Sequence, residues 1–508
     1  MDETYDVIVV GGGLCGLTAA LRCQQAGLSV VVLEGRDRLG GRSYTKTETW
    51  QGKPTWFDFG AHFIGHDDRQ KDIWDLVKEL GLKGDLFPQY EGPEQPGEKF
   101  DGQAANLLSV WNANQRATTA YIGTIFPDSL LGTLILGELI GLLALMGQEG
   151  LNHFWQKGWY DDVSVLQWVD HQKENGLDPP PEVYSLIDML CRVGFSAPAN
   201  EISMLWFLYY ISSSGGLDAF TNLRYPSQGA QGYRLRRGTQ SIAETLGERL
   251  RAKDFGAIRY GKKVTMLDFS GDPAVAICAD GSRHTGRAVL VATSPQLANV
   301  IKTNPALPAE RHDAAAAMRN GQTVMTLCHF KTPFWRSLTS LYTEGKFNGK
   351  DVDDISANGL SGNAMLSGAP IVWTMDNVSD EGAPAMFAFV VADEALKWKD
   401  KSPRVREETV RDCLVALYGE QAKTEMTGYE DYLWTTDPFA LGCPAGHFGP
   451  GDVLKSMKHI LLEYDPQYMG GRLRFASSES ASLSNGYMSG AVWSGKTVAE
   501  RIIKTLKA

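Results

Sequence analysis

The stretch Gly11-Gly12-Gly13-Leu14-Cys15-Gly16 constrains this chain more than any other. It follows the apolar run Tyr5-Asp6-Val7-Ile8-Val9-Val10 and opens a helical segment, Leu17 to Ala26. A second apolar run, Leu28 to Leu33, ends on Glu34. Strand, glycine turn, helix, strand and acid in this order form the setting of a dinucleotide fingerprint and predict a parallel α/β sheet. Gly11 permits the tight turn, Gly13 lets backbone lie against a pyrophosphate, and Gly16 lets the helix pack close to the strand. The helix start offers unpaired N–H groups and partial positive charge to phosphate oxygens, and Leu14 and Cys15, between the fingerprint glycines, count among the expected cofactor contacts. Glu34 stands where a carboxylate accepts hydrogen bonds from an adenosine ribose.

The residues after Glu34 narrow the choice of dinucleotide. Gly35-Arg36-Asp37-Arg38-Leu39-Gly40-Gly41-Arg42-Ser43-Tyr44-Thr45 adds a second glycine pair and two arginines suitably placed for phosphate or ribose. Gly40-Gly41 lets main chain lie close to a bulky cofactor, for which a nicotinamide enzyme has no evident use; a basic surface turn is the alternative reading. Together the two glycine motifs resemble the flavin amine oxidase family, nearest to its monoamine oxidases. The resemblance implies FAD and an α/β (α+β two-domain) fold, in which a Rossmann-like FAD-binding domain is interleaved with a mixed sheet-and-helix substrate domain.

Composition sets the outer limits. A chain of 508 residues holds two domains with large cores, and 43% hydrophobic with 21% charged residues is ordinary for a soluble globular protein. A net charge of −11 argues against nucleic acid and anionic membrane surfaces as partners. Seven cysteines without CxxC spacing give no disulfide framework, so reduced thiols are expected. Met1-Asp2-Glu3-Thr4 is acidic and runs straight into the first strand with no signal or transit pattern; a cytoplasmic protein is expected. Leu130 to Gly147 is apolar apart from Glu138 and a few threonine or glycine breaks. It reads as a buried helix or one packed on a partner subunit, with a membrane-dipping segment as the alternative. Membrane attachment is not expected, and a homodimer is.

Strand-rich, glycine-punctuated pieces at residues 1–88, 233–300 and 437–508 alternate with helical, tryptophan-rich stretches at 89–232 and 301–436. The first set is assigned to the FAD-binding domain and the second to the substrate domain. In the middle piece a helix is predicted over Ser241 to Arg251, followed by strands near Val264–Leu267, Val275–Ile277 and Ala288–Ala292. The resemblance places the backbone at Val264 against the adenine; a plain sheet strand is the other reading, and both can hold.

The last piece carries the densest set of candidate residues. Phe475-Ala476-Ser477-Ser478-Glu479-Ser480 follows a strand, and Asn485-Gly486-Tyr487-Met488-Ser489-Gly490 opens a final helix. A helix N-terminus here can aim its dipole at the flavin edge where negative charge develops, and Glu479 is placed to hold the ribityl or pyrophosphate region. Residues 475–492 match the family's C-terminal flavin motif without gaps, which implies cofactor contacts by Ser478, Glu479, Gly486, Tyr487 and Met488. Tyr487 then falls on one wall of the family's aromatic cage, although alone it reads as a packing residue. Trp434 and Cys443 match the segment that carries the covalent flavin thioether. Cys443 is therefore either bonded to the flavin or a buried unreactive thiol.

Two departures qualify the match. Pro444 stands where the family has a second cage aromatic, leaving Trp434, Phe439 or Phe448 to supply that face. The family lysine that holds a water at flavin N5 aligns with Val300, so Lys302 either stands in for it or is an exposed strand-end lysine. Without a cation near N5 oxygen reacts slowly, and a protein or quinone acceptor becomes an alternative. Asp58-Phe59-Gly60-Ala61-His62-Phe63 matches another flavin-contacting turn, with His62 facing the flavin or the active site. Leu205 to Tyr210 and Phe330 to Arg336 match scaffold segments and read as apolar packing.

The histidines show no HExxH or other metal spacing and there is no GxSxG elbow, so no metal or serine nucleophile is expected. The resemblance implies oxidative deamination of an aryl or alkyl primary amine, with Tyr487, Trp434 and Lys302 as catalytic candidates. Oxygen is reduced to hydrogen peroxide, or another acceptor takes the electrons. An L-amino-acid oxidase is the runner-up and needs a cation such as Arg224 or Arg116; a flavoprotein without turnover is the reading from another class.

Overall fold

The structure is a computed structural model that describes residues 4–89, 107–112, 117–122, 130–157, 160–221, 229–253, 256–337 and 362–508. Arg116 and Arg224 lie outside the described residues. Strand β1 (Thr4–Val10), helix α1 (Leu14–Gln25) and strand β2 (Val30–Leu33) form the opening unit, with β1 and β2 parallel and Val7 opposite Val30. On its other edge β1 runs parallel to Arg283–Val291, which in turn pairs with Leu473–Phe475, while β2 pairs with Gly256–Arg259. Val7 to Val9 and Val30 to Val32 have no exposed surface: helix residues such as Leu17, Ala20 and Leu246 pack with Val7, Val9, Val30 and Val32 on one face, and strand residues such as Val264, Leu267 and Ala276 pack with Ile8 and Val31 on the other. That is why these strands read as unbroken apolar runs.

The eight-stranded sheet draws on all three glycine-punctuated pieces. Ala274–Cys278 and Val264–Asp268 extend it antiparallel, and Lys302–Asn304 lies parallel on the outer side of Val264–Asp268. The sheet thus runs slightly past the boundary placed at 300. The final helix, Met488–Lys507, packs on α1 so closely that a Cβ on Gly495 would stand 2.5 Å from the Cys15 carbonyl oxygen.

A second sheet of seven strands is built from Leu107–Asn112, Ala117–Ile122, Thr323–Phe330, Ala364–Ser367, Trp373–Asp376, Ala385–Val391 and Met426–Leu433. Helices Pro181–Phe195 and Met204–Ser213 belong to the same hydrophobic core, and Met204 to Ile211 are buried all round, consistent with their lack of a polar face. The apolar segment is part of helix Leu130–Lys157. It buries Ile135, Leu136, Leu139, Leu143 and Met146 in that core while Leu130, Leu134 and Ile140 are exposed. Among the described residues, 130–150 is the one helix long and apolar enough to cross a membrane, with a mean hydropathy of 2.1.

Candidate functional site

The fingerprint glycines do three different things. Gly11 turns with φ +108° and donates its N–H to Leu33 O at 2.9 Å. A Cβ on Gly16 would lie 2.1 Å from Gly11 O, so Gly16 packs helix on strand and does not border the cavity. At Gly13 a Cβ would meet nothing within 4 Å, because the backbone there faces open space. Gly13 also precedes α1 without a side-chain cap, leaving the first-turn N–H groups to a ligand. The Glu34 carboxylate is fixed by its own loops: Gly12 N–H donates to Oε2 at 2.6 Å and Arg36 N–H to Oε1 at 2.8 Å. Each oxygen keeps a further lone pair for a ribose hydroxyl.

The two arginines are engaged differently from the sequence reading. Arg36 pairs with Asp437 at 2.6 Å and lies over the Phe439 ring, so its charge is already balanced by the last piece of the chain. Arg42 donates to both Glu479 oxygens, at 2.5 and 3.0 Å, and to Ser478 Oγ and Pro444 O. Glu479 has no exposed surface and does not border the cavity, so it holds Arg42 from behind instead of reaching the ribityl chain. Burial alone would raise its carboxyl, but the Arg42 charge and hydrogen bonds outweigh that and hold it down at about 2. A further loop closes on this pair: Ala61 N–H donates to Arg42 O at 2.9 Å, and a Cβ on Gly60 would clash with that oxygen at 2.0 Å.

These loops border one cavity of about 630 Å³. Gly11, Gly13, Leu14, Cys15, Glu34, Gly35, Arg36 and Val264 line it near the fingerprint. Gly41, Arg42, Gly60, Ala61, His62, Trp434, Cys443, Ser478, Gly486, Tyr487 and Met488 also line it. The final helix begins at Met488 without a side-chain cap, so a second helix N-terminus opens on the same space. Tyr487 stacks on Tyr210 with centroids 5.8 Å apart and planes at 27°. Burial pushes the Tyr487 hydroxyl up to about 12, and Tyr210 well up, keeping both neutral. Trp434 is fully buried, with its indole N–H donated to Phe59 O at 2.6 Å. Burial pushes the Cys443 thiol up to about 12 against the pull of Arg42.

Several expectations are corrected. Lys302 is exposed on the outer strand of the first sheet and does not reach the cavity, so it is not a catalytic residue. Val300 is 68% exposed at the cavity edge, a place that cannot hold an enclosed water beside a ring. The register that put the family lysine there fails on burial. Phe448 is buried against Trp206 and away from the cavity, while Phe439 covers Gly35 and Arg36 near the fingerprint. Of the three proposed second cage faces, that leaves Trp434.

The sequence reading missed most of the far wall. Tyr210, Val193, Phe220, Met325, Trp373 and Phe389 line it, drawn from three separate helices and three neighbouring strands. The available signal was alternation: Thr323 and Met325, like Phe389 and Val391, are two apart on strands and so share a face. The open Gly13 backbone, the anchored Glu34 carboxylate and two uncapped helix N-termini on one elongated space fit a dinucleotide carrying a large ring system.

Comparisons with known proteins agree with this fit. Residues 14–503 match the family model for flavin containing amine oxidoreductases. A probable flavin-containing monoamine oxidase A of Dictyostelium discoideum is 29% identical, covering 99% of this chain and 98% of its own. A putative flavin-containing monoamine oxidase AofH of Mycobacterium tuberculosis is 30% identical, with 99% and 97% covered. Flavin-containing amine oxidase B of Bos taurus is 26% identical over 100% of this chain and 87% of its own. The fold matches cyclohexylamine oxidase from Brevibacterium oxydans with a TM-score of 0.80 at 22% identity, covering 100% of each chain.

Proposed function

From the premise that this chain belongs to the flavin-containing amine oxidoreductases, whose cofactor is FAD, we propose that it deaminates a primary aryl or alkyl amine. The observation that carries this reading is the far half of the cavity. There Tyr487 and Tyr210 face apolar walls of Val193, Phe220, Met325, Trp373 and Phe389. Bound FAD supplies the acceptor for a hydride from the amine α-carbon and passes the electrons on, to oxygen as hydrogen peroxide or to another acceptor.

The protein's own part is binding, orientation and exclusion of water. When FAD is bound, Gly13 and the α1 N-terminus would hold its diphosphate, Glu34 its ribose, and Val264 its adenine end. Arg42, stiffened by Glu479, would contact the cofactor, and the Met488 helix start would favour the negative charge that gathers on its ring system. Tyr487, backed by the Tyr210 ring stacked on it, aligns the amine lone pair, and the raised hydroxyls of both keep charge out of the pocket. Apolar walls favour the neutral amine and exclude water until the iminium product meets it on release, yielding an aldehyde or ketone.

A specific observation favours a non-oxygen acceptor as the second reading. The cations that line the cavity among the described residues are Arg36, Arg42, Arg192, Lys262 and Lys263. Arg36, Arg42, Arg192 and Lys262 are each paired with a carboxylate, and Lys263 lies beside Phe439 near the fingerprint. A cytoplasmic homodimer without membrane attachment completes the proposal, with the exposed Leu130, Leu134 and Ile140 as a self-association face.

Anaerobic mixing with aryl, alkyl and cyclic amines and with free amino acids tests the reading. Bleaching of the flavin band by the amines and not by the amino acids is expected; no bleaching by any amine overturns it. Admitting oxygen or a quinone then distinguishes the acceptors by the rate at which colour returns. Acid precipitation tests Cys443: yellow colour stays in the pellet for a covalent flavin and is lost in Cys443→Ala.

A further inference from the structure

Arg192 stands apart among the charged groups that border the cavity. It belongs to the last turn of helix Pro181–Phe195 and lines the cavity together with Val193, Gly194 and Ser196 from the same stretch. That stretch is part of the far wall, where Val193 and Phe389 pack on Val372 and Val391. The Arg192 Nε donates to Asp188 Oδ2 at 2.6 Å, four residues back on the helix, and the other Asp188 oxygen accepts the Ala199 N–H at 2.9 Å. Both oxygens of Asp188 are thereby engaged, and the guanidinium is held along one edge. Among the described residues its Nη1 and Nη2 have no hydrogen-bond or ion-pair partner, and the side chain keeps 28% of its surface exposed, so a ligand can reach it. A guanidinium fixed through Nε still presents a flat pair of N–H donors at its far end, which matches the two oxygens of a carboxylate.

The charges around the cavity favour an anion at this end. Glu34 is the one acid that lines the cavity among the described residues, and it is fixed at the fingerprint. The far half therefore offers the tail of a substrate one cation and no free carboxylate. A second ammonium group there would meet Arg192 with nothing to balance it, which is costly in a partly buried place. The aromatic stack sets how far that tail must reach. Phe195, three residues along the helix from Arg192, lies 4.5 Å from Tyr210 between ring centroids, and Tyr210 stacks on Tyr487 at 5.8 Å. Two ring contacts and most of a helical turn thus separate Arg192 from Tyr487, where the amine is aligned. An α-carboxylate is one bond from the carbon that loses hydride and cannot bridge that span, whereas a carboxylate at the far end of a chain can.

We infer that Arg192 selects amines that carry a carboxylate at the end remote from the amino group, the class of ω-amino acids. Its Nη1 and Nη2 receive the carboxylate oxygens while Tyr487 aligns the amine at the other end of the same molecule. Asp188 holds the guanidinium in place, and the apolar wall between the two ends takes the methylene chain or ring. This inference rests on the amine-oxidising reading of the same cavity and adds the tail, and its test separates the two.

Rapid anaerobic mixing of the FAD-loaded enzyme measures the Kd and the limiting rate of flavin reduction for three matched series of increasing length: straight-chain ω-aminocarboxylates, 1-alkylamines and α,ω-diamines. Once the chain is long enough to span the cavity, the carboxylates should bind about 10-fold or more tighter than alkylamines of equal length, and the diamines more weakly than either. The advantage should shrink as salt is added, because the guanidinium is partly exposed. In Arg192→Gln the ratio of the carboxylate and alkylamine Kd values should fall to about one. A ratio near one in the parent, or an unchanged ratio in the variant, overturns the inference, leaves Arg192 as a rim ion pair only and keeps amine oxidation intact. Absence of bleaching by every amine overturns the underlying reading. If the variant does not fold, the parent answers alone with the methyl esters of the same ω-aminocarboxylates. The esters keep the length and lose the charge, so they should bind like the alkylamines; esters that bind as tightly as the free acids refute recognition by Arg192.

Discussion

His447 offers a quantitative check on how tightly the strand pair beneath the cavity is sealed. It is 1% exposed on strand Gly446–Phe448 and packed edge-on to Phe195, and among the described residues neither ring nitrogen has a hydrogen-bond partner. Burial, helped by the charge of Arg319 on the facing strand, lowers its pKa from 6.5 to about 4. Above pH 6.5 the ring is neutral in both folded and unfolded chains, and stability does not depend on it. Below that the unfolded chain takes up a proton that the native chain refuses, so native stability falls until the folded ring also titrates near 4. The cost is about 2 kcal/mol between pH 7.5 and pH 5, and about 3 kcal/mol by pH 4. His447→Met fills similar space, removes the titration and leaves no partner stranded. Urea unfolding of both proteins across this range, read as the difference at each pH, cancels the other titrating groups. The variant should gain about 2 kcal/mol on the parent as pH drops from 7.5 to 5. A difference that stays flat with pH would refute the claim that this imidazole is sealed and unpaired.

Three further outcomes are expected. Gly16→Ala forces a methyl group against Gly11 O at 2.1 Å and should give protein that purifies without yellow colour; normal absorbance at the flavin band would count against the packing argument. Glu479→Gln removes the charge that holds Arg42, so the purified protein should carry less FAD per chain and melt earlier, with an unchanged cofactor ratio as the contrary result. Glu48, packed near Glu430, Lys46 and His329, has its carboxyl raised to about 7 by burial first and by Glu430 second. A raised carboxyl contributes its stability below the unfolded value and loses it as pH climbs through 7. Glu48→Gln should therefore melt higher than the parent at pH 8 and no higher at pH 4; equal pH profiles would refute the assignment.

The first sheet and the cofactor-holding half of the cavity were legible in the chain. Their signals are local: glycines at fixed offsets, an acid at the end of β2, apolar strands buried on both faces, and a helix start after Gly486. Each of those features needs only its sequence neighbours to take its shape, and the pyrophosphate site forms wherever backbone turns that way. The other half was decided by the folded chain. Whether Arg42 meets a phosphate or Glu479 depends on residues 437 positions apart, and nothing along the chain marks that choice. Lys302 and Val300 fit a motif by spacing, yet sheet order put one on an outer strand and left the other largely in solvent. Tyr210 reads as helix packing until Tyr487 arrives beside it. Local patterns determine backbone geometry because they act within a few residues, while burial and pairing are sums over contacts that exist only once distant segments have met.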